Sequence, residues 1–134
     1  MTERKGGSDV AAGTETVATE LDISKNLYSL NGYKWFSSAT DADMSITLAR
    51  IEDSKGNVTQ VKRVEYESNL FNNYQFCFFK GTKGLSMFYL TLRNENNELN
   101  GIEIHKLKNK LGTRQLPTAE LLLDGTKAYR VCIQ

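Results

Sequence analysis

Few side chains in this sequence are spaced for chemistry. Cys77 and Cys132 lie too far apart for a CxxC pair and His105 is the only histidine, so neither a disulfide framework nor a metal site is expected. Asp41 and Asp43 flank Ala42 and could pair for acid–base work. Carboxylates on a turn ahead of a strand are ordinarily solvated charges, however, and no catalytic role is assigned to them. Four basic residues stand between Lys106 and Arg114. A nucleic-acid reader would interleave such a cluster with exposed aromatics, and this loop holds none, so it reads as a structural turn whose arginine bonds backbone carbonyls or meets a neighbouring domain, with phosphate contact as a lesser alternative. Two segments remain. One is the hydroxyl- and glycine-rich stretch Thr2–Asp9, which taken alone is a flexible arm; the other is Asn31–Ser38, which holds the single tryptophan, Trp35, and taken alone is a strand with a core indole.

The elements that must position these segments are strands. Met44, Ile46 and Leu48 alternate with Ser45, Thr47 and Ala49, and Ile102 and Ile104 alternate with Glu103 and His105, as in half-buried strands. Gly32, Gly56, Gly84, Gly101, Gly112 and Gly125 punctuate the runs beside Asn, Asp or Lys, which suits turns. Strands are expected near 14–22, 26–31, 33–37, 44–51, 84–93, 101–107 and 118–124, with no helical stripe. The fold class is therefore all-β, a single antiparallel barrel or sandwich occupying 1–134 as one domain. A length of 134 residues, 40% of them hydrophobic, is enough for a real core. A net charge of +1 and a pI near 7.7 give no electrostatic reason to expect nucleic acid or an anionic membrane. No apolar run approaches a membrane span and MTERKGGSDV lacks a signal-peptide core, so an intracellular location is expected, with no compartment specified.

Residues 61–80, VKRVEYESNLFNNYQFCFFK, break the alternation and read as an irregular insertion. Such an insertion is either a surface loop or a translated intron. Val61-Lys62 after Gln60 can be encoded CAG-GTAAAA, Phe76–Phe79 by a thymine-rich tract, and Val131-Cys132 by the donor-like GTATGT.

The two polar and aromatic segments carry a family resemblance. Met1–Val10 resembles the T-E-P-x-x-G-S-D signature of the acyl-CoA dehydrogenases, and Asn31–Ser38 resembles their N-G-x-K-x-W-I-T strand. Lys106–Glu120 with Leu121–Gly125 resembles their K-L-G-x-R loop and last strand, so the resemblance spans nearly the whole chain. Arg4 replaces the usual proline, which resembles the branch that contains the bacterial adaptive-response flavoprotein.

The resemblance implies the family's β-rich middle domain, with FAD as cofactor and acyl-CoA as substrate. Thr2 is assigned to the flavin edge, Gly7 to close approach of the backbone to the cofactor, and Ser8 to the point where FAD phosphate and the acyl-CoA chain pass. Trp35, Phe36 and Ser37 are assigned to flavin contact, Ser37 through its hydroxyl. The implied reaction is α,β-dehydrogenation, whose base the family keeps in a carboxy-terminal helical domain. Flanking helical domains and a homo-oligomer partner are implied as well, and this chain alone is expected to be an inactive fragment. Alternatives are a non-catalytic β module that kept the scaffold, or a DNA-protection relative.

Overall fold

A computed structural model describes residues 1–4, 10–52 and 85–131. Gly7, Ser8, Cys77, Cys132 and the expected insertion at 61–80 lie outside the described residues.

After a single helical turn, α1 (Val10–Gly13), which the strand-only expectation omitted, the chain forms β1 (Val17–Asp22), β2 (Leu27–Ser38), β3 (Met44–Glu52), β4 (Leu85–Thr91), β5 (Ile102–Leu107) and β6 (Thr118–Arg130). The hydrogen-bonded order β2-β1-β3-β4-β6 closes on itself through a β2–β6 pairing, and β5 lies along the other edge of β6. The result is an all-β barrel, as expected, but one pair departs from the antiparallel scheme. β1 and β3 run parallel, Val17 opposite Arg50. The reason is topological: β3 returns beside β1 rather than beside β2, and both of them oppose β2.

Glycines account for the other differences. The runs 26–31 and 33–37 are one strand, because Gly32 is not a turn. A Cβ there would lie 2.7 Å from Thr16 Cα and 2.8 Å from Thr16 Cβ, so the glycine permits β2 to pass tightly over the residue ahead of β1. Gly125, at φ +68°, sits inside β6, which therefore runs beyond the expected end at 124. Register shifts by one residue here, with Asp124 and Gly125 facing Asn31, and Asn31 Oδ1 accepts the Gly125 N–H at 2.9 Å. This is a bulge stabilised by the asparagine of the N-G pair.

The core consists of Tyr28, Leu30, Phe88, Leu90, Leu92, Ile102, Leu121 and Leu123 together with Ala18, Ala49, Ala119 and Ala128. Mixing large side chains with alanines suits the limited interior of a small barrel. β3 shows what that restriction does. Thr47 and Ala49 are buried while Met44 and Ile46 are 60% and 55% exposed, so the strand faces inward with its small residues and outward with Met44 and Ile46.

Candidate functional site

β1 does not extend along the second half of β2, and the amino-terminal segment takes its place. Thr2 forms an isolated antiparallel bridge with Phe36: its N–H donates to Phe36 O at 2.9 Å, while its own carbonyl accepts from Trp35 and Phe36 at 2.9 and 3.1 Å. On the other side, Met1 N stands 3.5 Å from Ile46 O of β3. Residues 1–3 thus fill the wall between β2 and β3. Thr2 is exposed, and its Oγ1 makes only a long 3.5 Å approach to Phe36 O.

β2 is bulged at the same level. Lys34 pairs with Leu121 and Ser37 with Ala119, so Trp35 and Phe36 together face Glu120. The bulge turns both aromatics outward, where Phe36 is 41% exposed and Trp35 is half-buried. Lys108 Nζ lies over the Trp35 ring at 3.1 Å from its centroid and near Phe36 at 5.1 Å, and the Arg4 guanidinium is 5.0 Å from the indole centroid. Both cations are at cation–π distance.

Glu120 anchors this face. It accepts a hydrogen bond from Lys108 Nζ and another from the Tyr33 hydroxyl, and the Tyr33 ring meets His105 edge-on at 5.4 Å between centroids. The Lys108 hydrogen bond, then the Tyr33 hydroxyl, with the Lys108 and Lys106 charges behind them, hold the Glu120 carboxyl below the usual carboxylate range. The same bond to Glu120 raises the Tyr33 phenol.

Among the residues expected at the site, Thr2, Trp35 and Phe36 converge. Ser37 does not join them: it is 2% exposed on the interior side, and its Oγ has no hydrogen-bond partner among the described residues. Asp41 and Asp43 are exposed on the turn before β3. Arg114 donates to Lys110 O at 2.8 Å, in keeping with a structural loop, and Lys110 closes that loop through Thr113 O, Leu116 O and Thr118 Oγ1.

Tyr33, Lys108 and Glu120 were not anticipated, and neither was a buried pair beneath the face. Glu3 Oε1 accepts from Lys34 Nζ at 2.7 Å, with side-chain exposures of 6% and 1%. Lys34 also donates to Leu48 O at 3.0 Å. Glu3 accepts from Thr16 Oγ1 at 2.5 Å and from the N–H groups of Glu15 and Thr16 at 2.6 and 3.1 Å. Burial alone would raise the Glu3 carboxyl, but the hydrogen bonds from Lys34 and Thr16, the Lys34 charge and the Glu15 N–H bring it below its ordinary value. Burial lowers Lys34, against the opposing pull of Glu3. A signal was present in the sequence, since Glu3 and Lys34 each stand next to an expected site residue and must point the opposite way along a strand.

No protein-family model matches the chain. Over 131 residues it is 53% identical to acyl-CoA dehydrogenase family member 11 of Caenorhabditis elegans, covering 98% of this chain and 18% of that protein. It is 29% identical over 121 residues to the putative acyl-CoA dehydrogenase AidB of Escherichia coli, covering 90% of this chain and 16% of that one. The crystal structure of Caenorhabditis elegans ACDH-11 in complex with C11-CoA superposes with a TM-score of 0.78 at 52% identity, over 100% of this chain and 19% of that chain. The chain thus spans less than a fifth of the length of these relatives.

Proposed function

This chain belongs to the acyl-CoA dehydrogenase family, as its middle β-domain, and from that premise we propose that the face carrying Thr2, Trp35 and Phe36 is one wall of an FAD and acyl-CoA site. The observation that supports this most is the Thr2–Phe36 bridge, which joins the two sequence motifs through backbone hydrogen bonds on a single outward face.

The residues present suit a flavin in part. Trp35 and Phe36 offer aromatic surface, and Thr2 Oγ1, committed only to a long contact, is a donor for the acceptor-rich pyrimidine edge. Ser37 Oγ, buried on the interior side with no hydrogen-bond partner among the described residues, offers no donor to this face. Gly7 and Ser8 are proposed for the cofactor phosphate and the acyl-CoA chain on the sequence motif alone. When bound, FAD supplies the hydride acceptor for α,β-dehydrogenation of an acyl-CoA.

What these residues contribute is orientation and the exclusion of water from an aromatic wall. Proton abstraction needs a base, and Glu120, the carboxylate that anchors this face, is unsuited to it. Lys108 and Tyr33 hold it ionised below the usual range, so it is a weak proton acceptor. The base is assigned to a carboxy-terminal helical domain of the full-length protein. Flanking helical domains also have apolar surface to cover here, at the outward Met44 and Ile46.

The test is reconstitution. The 134-residue chain by itself should bind FAD only weakly and should not reduce a dye acceptor with acyl-CoA, because affinity falls tenfold for each ~1.4 kcal/mol of contact removed. Placing it between amino- and carboxy-terminal helical domains of a relative, with residues 61–79 deleted, should give a yellow protein. Robust dehydrogenation by the chain alone would contradict this reading.

A further inference from the structure

We propose that Glu3 and Lys34 are positioning residues whose buried ion pair sets the register in which Thr2 lies against Trp35 and Phe36. The geometry begins with alternation. Thr2 points out and Glu3 in; Lys34 points in and Trp35 out. Each buried member of the pair is therefore the chain neighbour of a residue on the outer face.

Among the described residues the Thr2–Phe36 contact is one isolated bridge, with no ladder beside it to fix its register. A slip by one residue would exchange the two faces of the segment, placing Thr2 inside and Glu3 outside. The interior opposes that slip. Glu3 accepts four hydrogen bonds, from Lys34, Thr16 Oγ1 and the N–H groups of Glu15 and Thr16. Moving its carboxylate outward would leave the Lys34 ammonium buried and unpaired, which is among the most costly defects a core can hold.

The partners are themselves fixed. Thr16 lies under Gly32 with no space for a Cβ between them, and its carbonyl accepts the Arg50 N–H at 2.8 Å. Lys34 donates its second bond to Leu48 O on β3. The pair therefore refers the amino-terminal segment to β1, β2 and β3 at once. A pair kept only for stability could be replaced by apolar residues with little loss, whereas a pair that sets register could not be replaced without loosening the outer face.

The inference rests on the proposed cofactor face for its purpose, but its test uses no ligand, so it fails or stands apart from the flavin assignment. Trp35 is the only tryptophan and reports directly. Glu3→Leu with Lys34→Met removes both charges and keeps apolar bulk. The expected result is a thermal midpoint at or above that of the parent chain, with a red-shifted Trp35 emission. Access of acrylamide to the indole should increase, and the Phe36 amide should exchange about tenfold faster than in the parent, as for one lost buried hydrogen bond. An unchanged Trp35 spectrum and unchanged Phe36 exchange would overturn the proposal, as would a fall in midpoint with no local change before unfolding. Should the double variant fail to fold, Thr16→Val removes a single donor to Glu3 with little change in shape. It should raise Phe36 exchange several-fold while leaving Leu121 protected, and equal protection at both positions would overturn the proposal.

Discussion

The Lys34 ammonium and the Glu3 carboxylate meet at 2.7 Å inside the barrel, each beside a residue that forms the outer aromatic face. Glu3→Gln should leave Lys34 buried without its counter-charge and cost about 3–5 kcal/mol. Adding Lys34→Met should recover most of that loss. Urea denaturation of the single and double variants gives both values, and additive losses would show that the pair is not coupled.

The same carboxylate predicts an acid dependence. Glu3 titrates at about 4.5 when unfolded and lower when folded. Its contribution is therefore fully present above that value and is lost as pH falls through the folded-state value, because the unfolded chain then binds the proton first. Stability of the parent chain should fall more steeply below pH 4.5 than that of Glu3→Gln. Parallel pH profiles would remove Glu3 from the account.

Gly32 makes a steric prediction with its own control. Gly32→Ala places a methyl against the Thr16 backbone and should cost about 1–3 kcal/mol. Gly112→Ala meets nothing within 4 Å and should stay within about 0.5 kcal/mol of the parent. Equal effects at the two positions would refute the close-approach reading of Gly32.

Lys108→Met removes the leading cause of the low Glu120 carboxyl value and uncovers the Trp35 ring. The Glu120 side-chain resonance should then titrate at higher pH, and Trp35 emission should change in the same variant. A Glu120 titration left where it was would show that Tyr33 alone holds it.

Much of the barrel was legible from alternation, since a half-buried strand must repeat every two residues. The inward phase of β3 was not, because alternation does not say which set faces in. Thr47, paired with Phe88, and Ala49 take the interior, while Met44 and Ile46 stand outside. Gly32 misled because close approach and turn formation both call for glycine, and only the position of Thr16 distinguishes them. At the site, the convergence of Thr2 with Trp35 and Phe36 was readable from the paired motifs. Lys108 and Glu120 were not, since each lies some seventy residues or more from Trp35, Glu120 arriving through the pairing of β2 with β6 and Lys108 at the end of β5 through the pairing of β5 with β6.

The central claim, that Thr2, Trp35 and Phe36 form a flavin-facing wall, is tested most directly by titrating FAD into the isotopically labelled chain and following backbone amide shifts, which register even weak binding. Progressive shifts are expected at Thr2, Trp35, Phe36 and Lys108, with Met44 and Ile46 on the outside of β3 unmoved. Shifts that avoid Trp35 and Phe36, or that gather on β3, would contradict it.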